Sequence, residues 1–206
     1  MRHWILIAAL VLAGLLPGRG CRAQTRFTYG LEWGYTGSAF QIYHYNYLSE
    51  DGVRADEADA RFSYKSNGEV LFGAGLLLGR HFSTTVCSGL AGIYEGRNIV
   101  PVTLRTTFYP QGADRAGMLV FLDGGIAMPV NPSFLEKKGY LADAGAGYRI
   151  PVYKDFCLEV MLSARYAMDH PVHVHDIYTG EIVESGALRR SDSAHLGLTL
   201  SVALRF

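Results

Sequence analysis

Several things are scarce in this 206-residue chain, and each scarcity removes a class of protein. Neither charge is in excess: 19 Lys and Arg stand against 19 Asp and Glu, so there is no electrostatic footprint for nucleic acid. Apart from residues 5–16 there is no long continuous apolar run. Even that one falls short of the roughly 20 residues a helix needs to cross a bilayer. Cysteine is rare, three in all, and Cys87 and Cys157 lie far apart and outside any metal-ligand spacing. Proline numbers only 7, whereas glycine reaches 24 and tyrosine 13. That balance suits a β-rich chain with tight packing on one face.

The one apolar run has the setting of an export signal. Arg2 and His3 precede it, Pro17 and Gly18 end it, and Cys21 and Ala23 stand at the −3 and −1 positions of a cleavage site. Residues 1–23 are therefore expected to be removed, leaving 24–206 as a single domain. A lipid anchor on Cys21 is the competing reading, and Arg19 with the missing leucine fits it poorly. Arg2, Arg19 and Arg22 leave with the signal, which makes the mature chain slightly acidic.

What the chain has in abundance is a period of two. At the carboxyl terminus Ala194, Leu196, Leu198, Leu200, Val202, Leu204 and Phe206 alternate with His195, Gly197, Thr199, Ser201, Ala203 and Arg205. Successive side chains of a strand point to opposite faces, so this predicts one long strand with one apolar face. The same alternation recurs at 156–168, 139–150, 118–128, 102–109 and 27–36, and two glycine-rich strands fit 69–81 and 85–95. That makes eight. The stretches 40–47 and 60–65 would raise the count to ten; we read them instead as extensions of the wall, because 49–59 is polar and turn-rich.

The connections alternate in length. Short turns are expected at 82–84, 110–115 and 151–154, on the side where the last strand ends. The opposite side receives 37–66, 96–98, 130–138 and 169–193, of which the first and last are long. The polar face carries Glu32, Glu69, Arg105, Asp123, Asp143, Arg149, Glu159, Arg165, His195 and Arg205 among glycine and alanine. Such a face suits a cramped interior, and the apolar face, with aromatics near the strand ends, suits lipid.

On these residues the chain resembles the small eight-stranded outer-membrane β-barrels of Gram-negative bacteria. The resemblance implies an all-β, closed antiparallel up-and-down transmembrane barrel in the outer membrane, with outer-membrane lipid around it. It also implies that Val202, Leu204 and Phe206 act as the signal read by the barrel-assembly machinery during insertion. The architecture hosts structural proteins, adhesins, narrow channels and lipid-modifying enzymes, so it says little about activity.

Eight strands leave just enough room for side chains to fill the lumen. We therefore expect the interior charges to form a salt-bridged plug, with a conductive path as the alternative. The expected role is non-enzymatic, without a cofactor, serving envelope integrity or contact with an extracellular ligand through the loops. A lipid-modifying enzyme is the rival, with His195, Ser193 and Glu32 as its nearest approach to a nucleophile set. In 169–193, His173, His175 and Asp176 are candidate ligands for zinc or copper, though the spacing matches no closed site. Tyr43, Tyr45 and Tyr47 are expected to pack on the rim beside lipid headgroups, or else to form a recognition surface. Cys87 and Cys157 are expected as free, buried thiols on opposite sides of the barrel.

Overall fold

The computed structural model describes residues 25–49, 51–94, 97–130, 138–153, 156–171, 174–176, 179–183 and 185–206. The expected signal peptide lies outside them. Eight strands follow in order: β1 (Thr25–Leu48), β2 (Arg54–Leu78), β3 (Phe82–Tyr94), β4 (Arg97–Phe108), β5 (Gly117–Pro129), β6 (Gly139–Tyr153), β7 (Phe156–Asp169) and β8 (Leu188–Arg205). Each pairs antiparallel with the next, and β8 returns to β1, so the sheet closes into a barrel. The count is eight because 40–47 and 60–65 run on without a break into β1 and β2. The segment 37–66 is thus mostly a tall hairpin, with its turn near Gly52.

Closure depends on the last residue. Phe206 donates its amide to the Tyr29 carbonyl at 2.8 Å and accepts from the Tyr29 amide at 3.1 Å. Its ring stacks on Tyr29 at 5.3 Å between centroids and leans on Phe156 at 5.2 Å. The ends of β1 and β8 share one end of the barrel with the β2–β3, β4–β5 and β6–β7 connections. The first of these sits at 79–81 rather than 82–84. Gly79 supplies the positive φ of 72° that the tight turn requires, and Phe82 already belongs to β3.

Burial follows the alternation. On β7, Cys157, Glu159, Met161, Ser163, Arg165 and Ala167 are buried, and Val160, Leu162 and Tyr166 are exposed. β8 repeats this with His195, Thr199, Ser201 and Ala203 buried and Leu196, Leu198 and Leu200 exposed. The polar face is therefore the inside. On β1 the phase changes once. Glu32, Thr36 and Ser38 point in, and then Gln41, Tyr43 and Tyr47 point in. The cause is one extra residue at Ala39: Ser38 pairs with Gly197 but Phe40 pairs with Leu196, a β-bulge.

The seam at this bulge is close-packed. A Cβ at Gly197 would lie 2.5 Å from the Gly37 carbonyl oxygen and 2.8 Å from the Ser38 Cα, both backbone atoms that cannot swing away. Gly197→Val is expected to destabilise the folded barrel by about 1–3 kcal/mol or more. A urea-unfolding midpoint measured in lipid vesicles checks this, and an unchanged midpoint would mean that the β1–β8 seam is looser than described.

Candidate functional site

The lumen is filled in layers. Toward the short-turn end, Leu77, Tyr109, Leu119, Phe121, Met161 and Ala203 form a buried apolar cluster. A second cluster joins Leu71, Ile93, Ile99 and Leu141 with alanines of β3, β5 and β7. Charged groups occupy the space between these side chains, each delivered by the inward phase of its strand. Glycines provide room for them: a Cβ at Gly73 would stand 2.8 Å from Arg205 Nη1, and one at Gly34 would stand 2.8 Å from Glu69 Oε1.

The charges form two networks. In the first, Arg105 Nε donates to Asp123 Oδ2 at 3.0 Å while Arg105 Nη1 bonds Glu32. Arg205 then bridges Glu32 Oε2, at 3.5 Å, and Glu159 Oε2, at 3.2 Å. Arg149 Nη1 reaches Glu159 Oε1 at 2.7 Å, and the Tyr109 hydroxyl donates to the same oxygen at 3.0 Å. Signs alternate along the whole chain from Asp123 to Arg149. Arg105 also lies over the Phe121 ring at 4.7 Å, and Arg149 over Tyr109 at 4.9 Å.

The second network is centred on Arg165. Its Nε and Nη2 grip both oxygens of Asp143 at 2.8 and 2.9 Å, the bidentate fork that suits guanidinium best. Its Nη1 donates to Glu69 Oε2 at 2.5 Å and to Thr36 Oγ1 at 2.9 Å, and Thr36 meets Thr199 at 2.8 Å. All the expected interior charges except His195 thus fall into these two networks. Five carboxylates face four guanidinium groups, and among the described residues Glu69 Oε1 and Asp123 Oδ1 have no hydrogen-bond partner. Cys87 and Cys157 are free thiols buried in the same interior.

His195 belongs to the outer mouth instead. It is 2% exposed, and its Nε2 meets Ser193 Oγ at 3.1 Å, which also accepts from Gln41 Nε2 at 3.0 Å. Asp169 Oδ1 stands 3.7 Å from that same Nε2. A catalytic relay places the acid on the other ring nitrogen. Glu32, the third member of the nucleophile set that the sequence suggests, is committed to Arg105 and Arg205 lower in the barrel. The structure brings Ser193 and His195 together and does not bring Glu32 to them.

Above the mouth, part of 169–193 folds back as a small hairpin, with His175 bridged to Ile182 and Gly180 at a positive φ of 73°. Val174 and Val183 pack on Tyr47 and Ala55 of the β1–β2 hairpin, and Ser49 Oγ donates to Asp176 Oδ2 at 2.6 Å. His173 lies outside the described residues. His175 is exposed and Asp176 buried, and no group of three metal-ligating side chains gathers among the described residues. The rim reading of the tyrosines also changes. The bulge at Ala39 turns Tyr43 and Tyr47 inward, and Tyr43 stacks on Tyr45 at 4.8 Å inside the mouth. The Tyr43 phenol is pushed up to about 12, first by its 2.7 Å hydrogen bond to Glu57, then by burial and the Glu57 charge.

Beneath this cap lies an open cavity of about 480 Å³, with Gln41, Arg61, Lys65 and Ser193 among its walls. Arg61 and Lys65 carry no sequence motif. The signal that could have located them is the inward phase of β2, which is visible only once its register against β1 is known.

Removing one cation from a buried pair leaves a bare charge, which costs about 3–5 kcal/mol. Arg165→Met is expected to lose stability in that range, because Asp143 and Glu69 would both lose their counter-charge. Arg165→Lys keeps the charge but not the fork and should lose less. Unfolding midpoints of the two variants in detergent give the order; equal losses would contradict the fork geometry.

No protein-family model matches the chain, and comparison with curated proteins returns no match. Among solved structures, the outer membrane protein OprG from Pseudomonas aeruginosa aligns over 91% of this chain and 99% of its own, with 9% identity and a TM-score of 0.46. The outer membrane protein AlkL, solved in lipid bilayers, aligns over 91% and 94%, with 10% identity and a TM-score of 0.42. A de novo designed transmembrane β-barrel aligns over 79% and 94%, with 12% identity and a TM-score of 0.31. The architecture of this chain rests on its own strand ladder: a closed, all-antiparallel, eight-stranded β-barrel.

Proposed function

We propose that this protein is a non-conducting barrel of the Gram-negative outer membrane, exported by a cleaved signal peptide. Its role would lie in envelope integrity or in contact with the outside through the hairpin and loop above its outer rim. The observation that carries this reading is the outward face. Exposed apolar side chains ring all eight strands, from Leu31 and Trp33 on β1 through Phe72, Val86, Leu104, Leu122, Ile150 and Leu162 to Leu198 on β8. Leu122 alone is 68% exposed. A water-soluble protein rarely exposes more than a few hundred Å² of contiguous apolar surface, so a continuous apolar belt supports a hydrocarbon surrounding.

The belt has the dimensions of a membrane band. Tyr29, Phe82, Tyr148 and Phe206 mark the short-turn end, and Tyr35, Phe40, Tyr140 and Tyr166 the other. From Phe156 to Tyr166 the strand rises roughly 34 Å at about 3.4 Å per residue, or about 26 Å of height at a tilt near roughly 40°. A closed wall also leaves no unpaired strand edge in lipid.

The plugged lumen supports the non-conducting part. Two guanidinium–carboxylate networks and two apolar clusters share an interior that eight strands make only wide enough for side chains. Val202, Leu204 and Phe206 are proposed as the segment recognised by the assembly machinery, on the strength of the long terminal strand and its aromatic end.

Three measurements bear on this. Membrane fractions should contain a band that migrates differently when boiled, as a folded barrel does. Purified protein in planar bilayers is expected to give no steady conductance, and a reproducible open channel would reject the plug. Deletion of Phe206 should sharply reduce membrane insertion; undiminished insertion would remove its role as a signal.

A further inference from the structure

The β1–β2 hairpin stands taller than the strand beside it. β3 pairs with β2 only from Glu69 downward, where Glu69 meets Ala91, close to the end of β3 at Tyr94. Above that level β2 stays paired with β1 as far as Arg54, with no shift of register between Arg54 and Phe62. Among the described residues no strand pairs with the opposite edge of β2 from Arg54 to Tyr64. In an antiparallel ladder, residues bonded across the pair alternate with residues whose amide and carbonyl point the other way. Val53 accepts from the Ser49 amide at 2.8 Å, so the odd-numbered residues of upper β2 bond to β1. The even-numbered ones, from Arg54 to Phe62, turn their backbone groups to the unpaired edge. Two short side chains mark the same direction. The Ala60 amide donates to Asp59 Oδ1 and the Gly68 amide to Asn67 Oδ1, both at 2.8 Å, where a neighbouring strand would otherwise accept.

The side chains along this edge follow a fixed order. Cross-strand neighbours share a face, so Glu57, Asp59 and Arg61, opposite Tyr45, Tyr43 and Gln41, form an inner row. That row is acidic at Glu57 and Asp59 and basic at Arg61. The outer row begins with Arg54 and Asp56, which meet Asn46 at 2.8 Å and His44 at 2.6 Å. Below them it is apolar: Ala58, Ala60, Phe62 and then Tyr64, with the two rings 71% and 65% exposed. Charges on an edge strand keep most other strands from adding to it. Here they stand in the upper part of the edge, and the exposed aromatic rings stand in the lower part, so the edge selects by pattern.

We propose that the edge from Arg54 to Tyr64 is a docking site for an extended segment of another protein, which adds to the sheet as an antiparallel strand. In this mode main-chain hydrogen bonds supply the affinity and alternate side chains supply the specificity. The added strand is basic on its inner row beside Glu57 and Asp59, and uncharged there beside Arg61. Its outer row is apolar, against Ala60, Phe62 and Tyr64. On docking, Asp59 releases the Ala60 amide to the incoming carbonyl and pairs with the basic side chain instead. A second copy of the chain in the same membrane does not meet this geometry, because upright barrels run β2 in the same direction. The inference deepens the proposed contact with the outside, and it rests on that reading for access to the hairpin.

The test uses the folded, full-length mature barrel in maltoside micelles and a fluorescein-labelled peptide, Val-Thr-Val-Thr-Val-Lys-Val-Lys-Val. Run antiparallel with its central valine opposite Ala60, the peptide places its lysines beside Asp59 and Glu57. Fluorescence anisotropy is expected to show saturable binding. A twin N-methylated at the third, fifth and seventh residues keeps every side chain but loses the edge bonds, and should not bind. A version with glutamate for lysine should bind severalfold more weakly. Ala60→Pro removes an edge donor at a position where an edge strand tolerates proline, and should weaken binding about tenfold or more. Boiled and unboiled gels confirm that the variant folds; if it does not, the N-methylated twin decides the matter on the unaltered protein. Absence of saturable binding overturns the proposal, as does equal binding of the N-methylated or glutamate peptide, or unchanged affinity in folded Ala60→Pro. A dimer that Ala60→Pro separates in the ultracentrifuge gives the edge to a second copy and overturns it too. Protease access to the hairpin on intact cells tests its placement outside, so either reading can fail alone.

Discussion

The interior of this barrel depends on sign alternation among charges that have almost no water. Taking a carboxylate or guanidinium out of solvent costs several kcal/mol, and only a close, well-oriented opposite charge offsets it. Here the offset is shared along a chain. Arg205 serves Glu32 and Glu159, Glu32 serves Arg105 and Arg205, and Glu159 serves Arg205, Arg149 and Tyr109. The charged side chains of this first network come from β1, β4, β5, β6, β7 and β8, so it ties together parts of the wall that never touch as backbone. Arg165 does the same across β6, β7, β2 and β1, through Asp143, Glu69 and Thr36.

The wall and its contents are consequently interdependent. Backbone pairing fixes the register, register fixes which residues face in, and the inward residues cross-link the wall that positioned them. Glycine makes the arrangement physically possible, because large guanidinium groups need a neighbour with no side chain, as at Gly73 beside Arg205. The closing contact of Phe206 with Tyr29 and Phe156 then leaves the short-turn end without a frayed strand.

Much of this architecture is legible in the amino-acid order. A period of two, clear in six of the eight strands, gives the inner face and the set of interior charges, because successive side chains of an extended chain point to opposite faces. The pairing within that set is not legible, since it depends on how strands far apart in sequence meet across the lumen; Arg165 and Glu69 are an example. The apolar layers between the charges are also hidden, because Leu71, Leu119 and Met161 are as apolar as the side chains that face outward. At the outer mouth the sequence misleads. Tyr43 and Tyr47 read as rim residues until the bulge reverses their direction, and nothing in the pattern around Arg61 and Lys65 sets those two cations apart.

That bulge has a wider consequence. Along β1 the odd-numbered residues from Phe27 to Tyr35 point outward, whereas beyond Ala39 it is the even-numbered ones, from Phe40 to Leu48, that turn out. One inserted residue therefore gives a single strand two reading frames. The lower frame turns apolar side chains outward and charges inward; the upper frame surrounds an open cavity. Residues a few positions apart on the same strand answer to opposite rules of substitution. The crossing point at Ala39 frees the exposed half of the hairpin to change its sequence without disturbing the frame that holds the barrel in place.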